Sequence, residues 1–452
     1  MGNGKERALS SWERFAYSVG NFGVGSLPAV IGSWALYYFS PPEAAAGETS
    51  CMIAFVPYAT IMALALALGR VAEALVNPFI GDWSDKTKNK LGRRIPFIRY
   101  GTPIMAIAAV ILWFPPIIGP SWINAVWVGF FMIIMSVAFA AVVAPYLSLL
   151  PELTPHNDER IVVSSWMAVA ELAGVLAVTA GAGAIITQGK CGMFGFEPQQ
   201  FNGFHAAAII FAVVGAISFL VTGYGIKERP YSESKNVSFS FKEGSREIFK
   251  NPSFLPYLSM VALMRIALDI VIVAIPYIAT TILGGDEWDA SKIMIIVTVG
   301  AMALFPLVTM LSTRFGKKNI MILGAAGFVI ILPLAWTLGH WPVFEPMTQG
   351  YILFLFATFP VSAFMVLPRP MLADVIDHDE KLTGFRREAI YNGMEGLFTR
   401  SASGLAWVLS AMLFDIFGKS VDNPLGIYLT GPLGGAVALL ALIGFLKYPF
   451  KK

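Results

Sequence analysis

The sequence predicts an all-α polytopic membrane protein whose twelve transmembrane helices form two six-helix bundles, with both termini in the cytoplasm. Of its 452 residues, 56% are hydrophobic and only 13% are charged, and the mean hydropathy is +0.67. That composition leaves more apolar surface than a soluble globule buries. Two further observations, the spacing of the apolar stretches and the distribution of Lys and Arg, set the number of helices and their orientation.

Twelve apolar stretches are each long enough to cross about 30 Å of hydrocarbon, which takes roughly 17 to 25 helical residues. In order along the chain they lie near residues 15–39, 52–82, 100–118, 123–149, 161–187, 204–226, 253–283, 293–312, 319–338, 348–367, 389–417 and 425–446.

The Lys and Arg residues fall almost entirely on one side of these stretches. With the N-terminus inside, the inner segments hold 26 of the 32, the outer segments hold three, and the remaining three lie within apolar stretches. Because cytoplasmic loops carry the excess of Lys and Arg, this asymmetry predicts that both termini are cytoplasmic.

A charged connector divides the stretches into two sets of six. We therefore predict an N-terminal bundle at 1–226, a cytoplasmic linker at 227–252 and a C-terminal bundle at 253–452. In each half an apolar stretch ends near a proline, Pro145 or Pro370, and leads into an acidic loop closed by arginine. Such internal symmetry is typical of carriers built from repeated halves, whose substrate site lies near the membrane midplane.

The loop after the second stretch carries a family signature. Gly81-Asp82-Trp83-Ser84-Asp85-Lys86 followed by Gly92-Arg93-Arg94 resembles the Gly-x-x-x-Asp-Arg/Lys and Gly-Arg-Arg pattern of the major facilitator superfamily. Three more passages resemble one branch of it, namely RVAEALVNP at 70–78, PYLSLLPELTPHNDER at 145–160 and MLADVIDHDEKLTGFRREAIYNG at 371–393. On these passages the chain is identified as a member of the glycoside-pentoside-hexuronide:cation symporter (melibiose permease-like) family. The resemblance implies the major facilitator fold and a secondary active transporter in the cell membrane.

Arg70, Glu73 and Asn77 are spaced i, i+3 and i+7, so they share one face of an otherwise apolar helix. Ionisable groups at membrane depth are costly and mark functional sites. Sugar-transporting members of the family carry two aspartates four residues apart as the core of a Na⁺, Li⁺ or H⁺ site, and Glu73 and Asn77 stand at those positions before Pro78. The resemblance thus implies a cation site with one negative charge fewer, which favours H⁺ relative to Na⁺. A purely structural Arg70–Glu73 pair is the open alternative.

The residues with which the sugar transporters of the family bind sugars are depleted. Two of their aspartates correspond to about Gly25 and to Val143, and the arginine expected early in the fifth stretch is missing. By contrast, Arg400 stands where the family has a cationic residue in the eleventh stretch. Loss of carboxylates removes groups that discriminate hydroxyls. A simple melibiose-like glycoside is therefore not the expected substrate.

Polar and ionisable side chains within the apolar stretches are the candidates for substrate binding. They are Arg400, Glu171, Asn21, Tyr146, Trp166, Arg265, Asp269 and Glu395. Arg265 and Asp269 are i, i+4 partners, so a merely structural pair is an open alternative for them. Glu171 has no partner nearby in the sequence, which favours a proton-carrying role.

Asp85, Arg93 and Arg94 are candidates for a cytoplasmic gate, together with Arg387 in the second half. A carboxylate at the end of a span can pair with arginines and with a neighbouring helix N-terminus while the cytoplasmic face is closed. Further charges of the second-half loop either complete this closure or form a solvated turn. They are Asp374, Asp377, Asp379, Glu380, Arg386 and Glu388.

Cys51 and Cys191 both fall in predicted outer segments, where a disulfide is permitted. A disulfide between them and two free thiols remain the alternatives. No P-loop, nucleophile elbow or metal-ligand motif occurs in the sequence. We therefore expect no enzyme activity and no cofactor or metal beyond the coupling ion, H⁺ or Na⁺.

The leading hypothesis is cation-coupled symport of a polar organic solute, sugar-derived or anionic, by alternating access, with Arg400 and Arg265 as counter-charges. The first alternative is a lysophospholipid-like amphiphile as substrate, favoured by the lost carboxylates and the apolar fourth stretch. A more remote alternative is a non-transporting sensor or scaffold. We expect a small-molecule substrate and membrane lipid as partners, no nucleic acid, and a monomer.

Overall fold

The computed structural model describes residues 9–43, 51–154, 157–228, 246–385 and 387–449. Every regular element in these ranges is helical, which confirms the all-α prediction. In chain order the α-helices are α1 (Ser11–Phe39), α2 (Ala59–Lys86), α3 (Ile95–Ile111), α4 (Trp122–Leu153), α5 (Asn157–Gly189), α6 (Gly203–Gly225), α7 (Phe254–Tyr277), α8 (Glu287–Phe315), α9 (Lys317–Ile331), α10 (Pro346–Phe356), α11 (Thr358–Val366), α12 (Pro368–Thr383), α13 (Glu388–Phe417) and α14 (Leu425–Phe445). A π-helical turn, Ile278–Ile282, follows α7, and a 3₁₀ turn, Leu332–Thr337, follows α9.

Eleven segments of the described chain are long and apolar enough to cross a membrane, so the chain is a multi-pass membrane protein. The remaining predicted span corresponds to α3, an apolar helix of 17 residues. It starts earlier than predicted because Pro96 sits in its first turn, where a missing N–H costs nothing. It stops early because Pro115 and Pro116 have no N–H to continue it. The count of twelve spans and the side on which the termini lie stay predictions.

The tenth predicted span, 348–367, lies within a longer helical segment, Pro346–Thr383, which is broken into α10, α11 and α12. The breaks fall at Ala357 and Leu367. Pro360 has no N–H to give to the carbonyl four residues before it, and Pro368 opens α12. Proline therefore explains both interruptions.

The chain divides by packing into two compact units. Unit 1 contains the described residues of 1–31 and 68–235, and unit 2 contains those of 32–67 and 236–452. The described residues of 32–67, which include the end of α1 and the start of α2, are called the outer segment below. The predicted division into six-helix bundles at 1–226 and 253–452, joined by a linker at 227–252, stays a prediction.

Unit 1 is built around α3, which packs against α4 and α6, and around α5, which packs against α6. In its core Tyr17 and Tyr146 are fully buried with ring centroids 4.9 Å apart. The Tyr17 hydroxyl donates to the Tyr146 carbonyl at 2.7 Å, and the Tyr146 hydroxyl donates to the Tyr17 carbonyl at 2.8 Å. This reciprocal pair joins α1 to α4.

Two glycines allow α1 and α5 to cross at close range. A Cβ at Gly25 would lie 2.2 Å from the carbonyl oxygen of Glu171, and a Cβ at Gly174 would lie 2.3 Å from that of Phe22. Real Cβ atoms do not approach backbone so closely, so neither position accepts a side chain without moving a helix. Gly25 is therefore required for close packing of α1 against α5.

In unit 2, α14 packs against α7 and α9, α13 packs against α7, and α8 packs against α11. The buried core of this unit is large and apolar and includes Tyr257, Met264, Phe328, Met371 and Phe445. This core packs against α7 and α13 and so fixes the positions of their polar side chains.

Substitution Gly25→Ala tests the α1–α5 crossing. We expect it to lower stability by about 1–3 kcal/mol, because the added methyl overpacks the crossing against backbone. Thermal melting of the purified protein is the measurement. Gly81→Ala is the control, since a Cβ at Gly81 meets nothing within 4 Å. Equal melting temperatures for the two variants would contradict this account.

Candidate functional site

Arg70, Glu73 and Asn77 lie on α2 within unit 1 as their spacing predicts. An Arg70 Nη1 atom is 3.4 Å from Glu73 Oε2, and the exposed fractions of the two side chains are 13% and 4%. The Asn77 amide nitrogen is buried and has no hydrogen-bond partner among the described residues. A buried carboxylate that lies beside an arginine, with an amide one turn away, is chemically suited to exchanging a proton or a hard cation.

Pro78 adds a backbone acceptor to this part of α2. Proline has no N–H, so the carbonyl of Ala74 lacks the intrahelical donor that residue 78 would otherwise supply. Carbonyl, amide and carboxylate oxygens are the ligands preferred by hard cations. The local geometry of α2 therefore places three types of oxygen donor within about one helical turn.

Asn21 and Glu171, predicted separately, are brought together by the α1–α5 crossing. The Asn21 Nδ2 donates to Glu171 Oε2 at 3.0 Å and to the Met167 carbonyl at 3.0 Å. Asn21 is buried, and its Oδ1 has no hydrogen-bond partner among the described residues. Asn21 thus ties the carboxylate of α5 to α1 while retaining an unused acceptor.

Tyr146 and Trp166 have very different surroundings. Tyr146 is fully buried and its hydroxyl is occupied by the Tyr17 carbonyl, so in this conformation it acts as packing. Trp166 on α5 is 60% exposed. Tyr146 nevertheless borders the Asn21–Glu171 pair, since its hydroxyl lies within interaction range of the Asn21 backbone and of the Glu171 carboxylate.

Arg265 and Asp269 form the predicted i, i+4 pair on α7 in unit 2. Arg265 Nε donates to Asp269 Oδ2 at 2.8 Å and to Ser403 Oγ on α13 at 2.9 Å. The Asp269 side chain is 5% exposed, whereas that of Arg265 is 44% exposed. The pair therefore joins α7 to α13 and leaves much of the guanidinium accessible. Ser403 was missed by sequence reasoning because a lone serine on an apolar helix carries no signal.

Glu395 and Arg400 lie on α13. Glu395 is half-buried beside the Tyr257 hydroxyl of α7. Arg400 is half-buried, and a Cβ at Gly396 would lie 2.7 Å from its Nη1, so the glycine makes room for the guanidinium. Unit 2 thus presents two arginines, Arg265 and Arg400, on neighbouring helices.

The loop between α2 and α3 carries the predicted gate residues. Arg94 Nη2 lies 3.0 Å from Asp85 Oδ1, with the Arg94 side chain buried and that of Asp85 exposed. The carboxylate that occupies the N-terminus of α3 is not Asp85 but Glu228, which follows α6. Glu228 accepts from the backbone N–H groups of Arg93 at 2.9 Å, Arg94 at 2.9 Å and Ile95 at 3.3 Å.

Gly92 explains why glycine stands in this motif. Its φ of +110° is in the left-handed region, and a Cβ there would lie 2.1 Å from Glu228 Oε2. Glu228 was missed because it is 134 residues from Arg94. The available signal was indirect, since α3 begins at Arg94 and Ile95 without a capping side chain of its own.

The loop that follows α12 in the second half is held by a different set of contacts from the loop between α2 and α3. Arg387 Nη1 lies 3.6 Å from Asp379 Oδ2, and both side chains are buried. Lys317 at the start of α9 pairs with Asp374 on α12. Lys318 Nζ donates to the carbonyls of Leu446, at 3.1 Å, and Tyr448, which follow α14. These contacts hold the start of α9 against α12 and against the residues that follow α14.

The other loop candidates divide into exposed and undescribed positions. Asp377 and Glu388 are exposed, and Glu380 is half-exposed. Arg386 lies outside the described residues. These positions stay predictions.

Cys51 and Cys191 are both disulfide-bonded, and neither is a free thiol. Cys51 precedes α2 and is half-buried, whereas Cys191 follows α5 and is exposed. Among the described residues, no group of three or more His, Cys, Asp or Glu side chains is placed to hold a metal ion.

The sequence matches the family described as MFS/sugar transport protein over residues 53–444. The sodium-dependent lysophosphatidylcholine symporter 1 of Xenopus tropicalis is 23% identical over 88% of this chain and 82% of its own length. The isoprimeverose transporter of Lactiplantibacillus pentosus is 21% identical over 91% of this chain and 81% of its own length. The crystal structure of a D-xylose-proton symporter aligns with a TM-score of 0.66 at 17% identity, covering 95% of this chain and 96% of that one. At such identity the structural likeness shows the fold alone.

Substitution Glu228→Gln tests the cap on α3. We expect a loss of about 1–2 kcal/mol in stability, because the amide is a weaker acceptor for the three backbone N–H groups and carries no charge at the helix N-terminus. Thermal melting is compared with that of Glu197→Gln, a change at an exposed carboxylate in the loop between α5 and α6. If both variants melt like the parent protein, the cap does not stabilise the loop.

Thiol titration tests the disulfide state of the two cysteines. We expect the denatured, unreduced protein to show no titratable thiol and the reduced protein to show two. Two thiols before reduction would contradict the disulfide.

Proposed function

This chain belongs to the MFS/sugar transport family, and on that premise we propose that it is a secondary active transporter that couples H⁺ or Na⁺ to the symport of a polar organic solute, sugar-derived or anionic, by alternating access. The membrane location follows from the apolar helices, and we propose the cell membrane as the compartment. The family consists of transporters, so no enzyme activity is assigned.

The observation that carries the coupling proposal is the burial of Glu73. A carboxylate on a membrane helix with a 4% exposed side chain is costly unless it is neutralised. Arg70 neutralises it at 3.4 Å in this conformation, and a proton or Na⁺ does so in another. A carboxylate that an arginine neutralises in one conformation and a bound cation neutralises in another is suited to coupling ion binding to conformation.

The single negative charge favours H⁺ over Na⁺. A proton on Glu73 releases Arg70 without any further ligand, whereas Na⁺ needs several oxygen ligands beside a guanidinium of the same sign. Asn77 and the Ala74 carbonyl supply two such oxygens, so Na⁺ stays the second candidate ion.

The polar side chains of each unit support a polar or anionic substrate. Arg265 keeps 44% of its side chain exposed although it is paired with Asp269, and Arg400 lies on the adjacent α13. In unit 1, Asn21 and Glu171 offer an unused amide oxygen and a carboxylate. We propose these residues, rather than carboxylates at positions 25 and 143, as the ones that recognise the solute.

A lysophospholipid-like amphiphile is the second candidate substrate. One specific observation favours it, namely that the positions of two sugar-binding aspartates are occupied by Gly25, which is locked into the α1–α5 crossing, and by the buried Val143. The similarity to a lysophosphatidylcholine symporter is compatible with this candidate. We propose a small molecule and membrane lipid as the partners, a monomer as the working state, and no cofactor apart from the coupling ion.

Substitution Glu73→Gln tests the coupling role. We expect uptake against a gradient to fall by at least about tenfold, since glutamine cannot change its charge, while exchange of labelled for unlabelled substrate is retained. Both rates are measured in proteoliposomes with imposed H⁺ or Na⁺ gradients. Glu197→Gln is the matched control and should keep both activities. Uphill uptake by Glu73→Gln would assign coupling elsewhere.

Ligand-induced thermal stabilisation separates the two substrate classes. A ligand that binds the native state raises its melting temperature by mass action. We expect sugars or sugar acids to stabilise the protein, with a dependence on pH or Na⁺ that is absent in Glu73→Gln. Stabilisation by lysolipids alone would support the amphiphile instead.

A further inference from the structure

The end of α1 and the start of α2 are both capped by residues from elsewhere in unit 2. The residues just before α2 are Val56, Pro57 and Tyr58, which offer no Ser, Thr, Asp or Asn to cap its first turn. α1 has no basic residue in its last turn. Helix ends without local caps take their partners from elsewhere in the fold or from water.

Asp415, in the last turn of α13, caps the start of α2. Its Oδ1 accepts from the N–H of Ala59 at 2.8 Å, and its Oδ2 accepts from the N–H of Thr60 at 2.7 Å and from the Thr60 hydroxyl at 2.6 Å. All three bonds are charge-assisted, and the anion lies at the positive end of the helix dipole. One carboxylate thus holds α2 to α13.

Tyr277 and Lys419 cap the end of α1. The Tyr277 hydroxyl donates to the carbonyls of Leu36 at 3.1 Å and Ser40 at 2.8 Å. Lys419 Nζ donates to the Ser40 carbonyl at 3.0 Å and to the Ser40 hydroxyl. A cation therefore lies at the negative end of α1, the reverse of the arrangement at α2.

A third contact reinforces the same end of α1. The Tyr37 hydroxyl donates to Glu287 Oε1 at 3.2 Å and lies 3.3 Å from Thr280 Oγ1. Tyr37 and Glu287 are both buried. The outer segment is therefore joined by polar contacts to residues of α7, α8 and α13 and to the turns that follow α7 and α13.

Both helices carry residues that favour bending close to a boundary of the outer segment, which begins in α1 and ends in α2. In α1, Pro28 removes one intrahelical hydrogen bond, and Gly32 is the first residue of the outer segment. In α2 the outer segment ends at residue 67, two residues before Gly69. Pro and Gly are the usual sites at which helices bend.

We propose that Asp415 and Lys419 form a charge-complementary latch, which holds the outer ends of α1 and α2 against α13 and must release once in each transport cycle. The proposal rests on alternating access as the proposed function. Release exposes the N–H groups of Ala59 and Thr60 and the Ser40 carbonyl, which then take water as their partner.

Lys419 gives the latch a defined response to pH. Burial lowers the pKa of Lys419 from 10.5 to about 8, although Asp415 on α13 and Glu43 after α1 limit the fall. The released amine returns toward its ordinary pKa, so the released state binds the proton more tightly. Raising pH above about 8 therefore favours the latched state, and below about 8 the balance is independent of this group.

A cysteine at position 67 reports release without any need for transport. Ala67 lies in the outer segment against Gly404 of α13, where a Cβ on the glycine would be 3.1 Å from the Ala67 Cβ. The native cysteines are disulfide-bonded and do not react with thiol reagents. In the Ala67→Cys background we measure the labelling rate with a membrane-impermeant methanethiosulfonate reagent, with neither substrate nor ion gradient.

Asp415→Asn is expected to raise the labelling rate roughly tenfold, because a neutral amide is a poorer cap than a carboxylate. Asp415→Glu should restore part of the slow labelling, and Glu197→Gln, which removes an exposed carboxylate far from these contacts in the chain, should leave the rate unchanged. Unchanged labelling in a folded Asp415→Asn protein, judged by gel filtration and thermal melting, would overturn the latch. So would an equal rise in Glu197→Gln.

The pH response is tested as a ratio of labelling rates. The labelling rate of the Ala67→Cys protein with native Lys419 is divided by that of the same protein carrying Lys419→Met. Ionisation of the thiol alters both rates equally and cancels in this ratio. We expect this ratio to fall between pH 8 and pH 10 and to stay constant between pH 6 and pH 7.5. A ratio that rises with pH would overturn the role of Lys419. Because no flux is measured, these outcomes are independent of whether the protein transports the proposed solute.

Discussion

Water is absent from the hydrocarbon interior of a membrane, so each polar group left over at a helix end or on an apolar helix needs a partner within the chain. Polar contacts between helices meet this need within the apolar segments, and contacts of the same kind cap helix ends that border them. Asp415 caps α2, Glu228 caps α3, and Asn21 holds Glu171. In each case the partner comes from a distant part of the sequence. The same groups that satisfy the backbone therefore fix which helices are neighbours.

The two halves of the sequence use opposite charges for equivalent tasks. In the first half the chain just after α6 supplies an anion, Glu228, to the start of α3. In the second half the start of α9 supplies a cation, Lys318, to the carbonyls that follow α14. Both devices join the third predicted span of one half of the sequence to the end of the sixth predicted span of that half. The internal symmetry of the sequence thus extends to a shared location, while the chemistry at that location has diverged.

Contacts within one helix or across a short loop could be predicted from the sequence, whereas contacts between segments far apart in the sequence could not. Arg70 with Glu73 and Arg265 with Asp269 follow from helical spacing, because side chains three or four residues apart lie on one face. Composition and charge asymmetry were likewise enough for an all-helical membrane protein. Ser403, Glu228 and Asp415 became visible only when tertiary packing brought them to their partners. Gly25 combines both cases. The family resemblance indicated that a carboxylate is missing at this position, but the contact of Gly25 with the backbone of α5 could be found only in the structure.

The position of Pro28 in α1 has a mechanical consequence. The helix continues from Pro28 to Phe39, a rigid arm of about 16 Å at 1.5 Å per residue. Tilting such an arm by about 10° displaces its tip by about 3 Å, which is the length of one hydrogen bond. The caps at Ser40 and Leu36 are attached to that tip, so a small tilt breaks them together rather than in sequence. Under the proposed latch, the arm would therefore convert a gradual tilt at Pro28 into the simultaneous loss of the contacts at its tip.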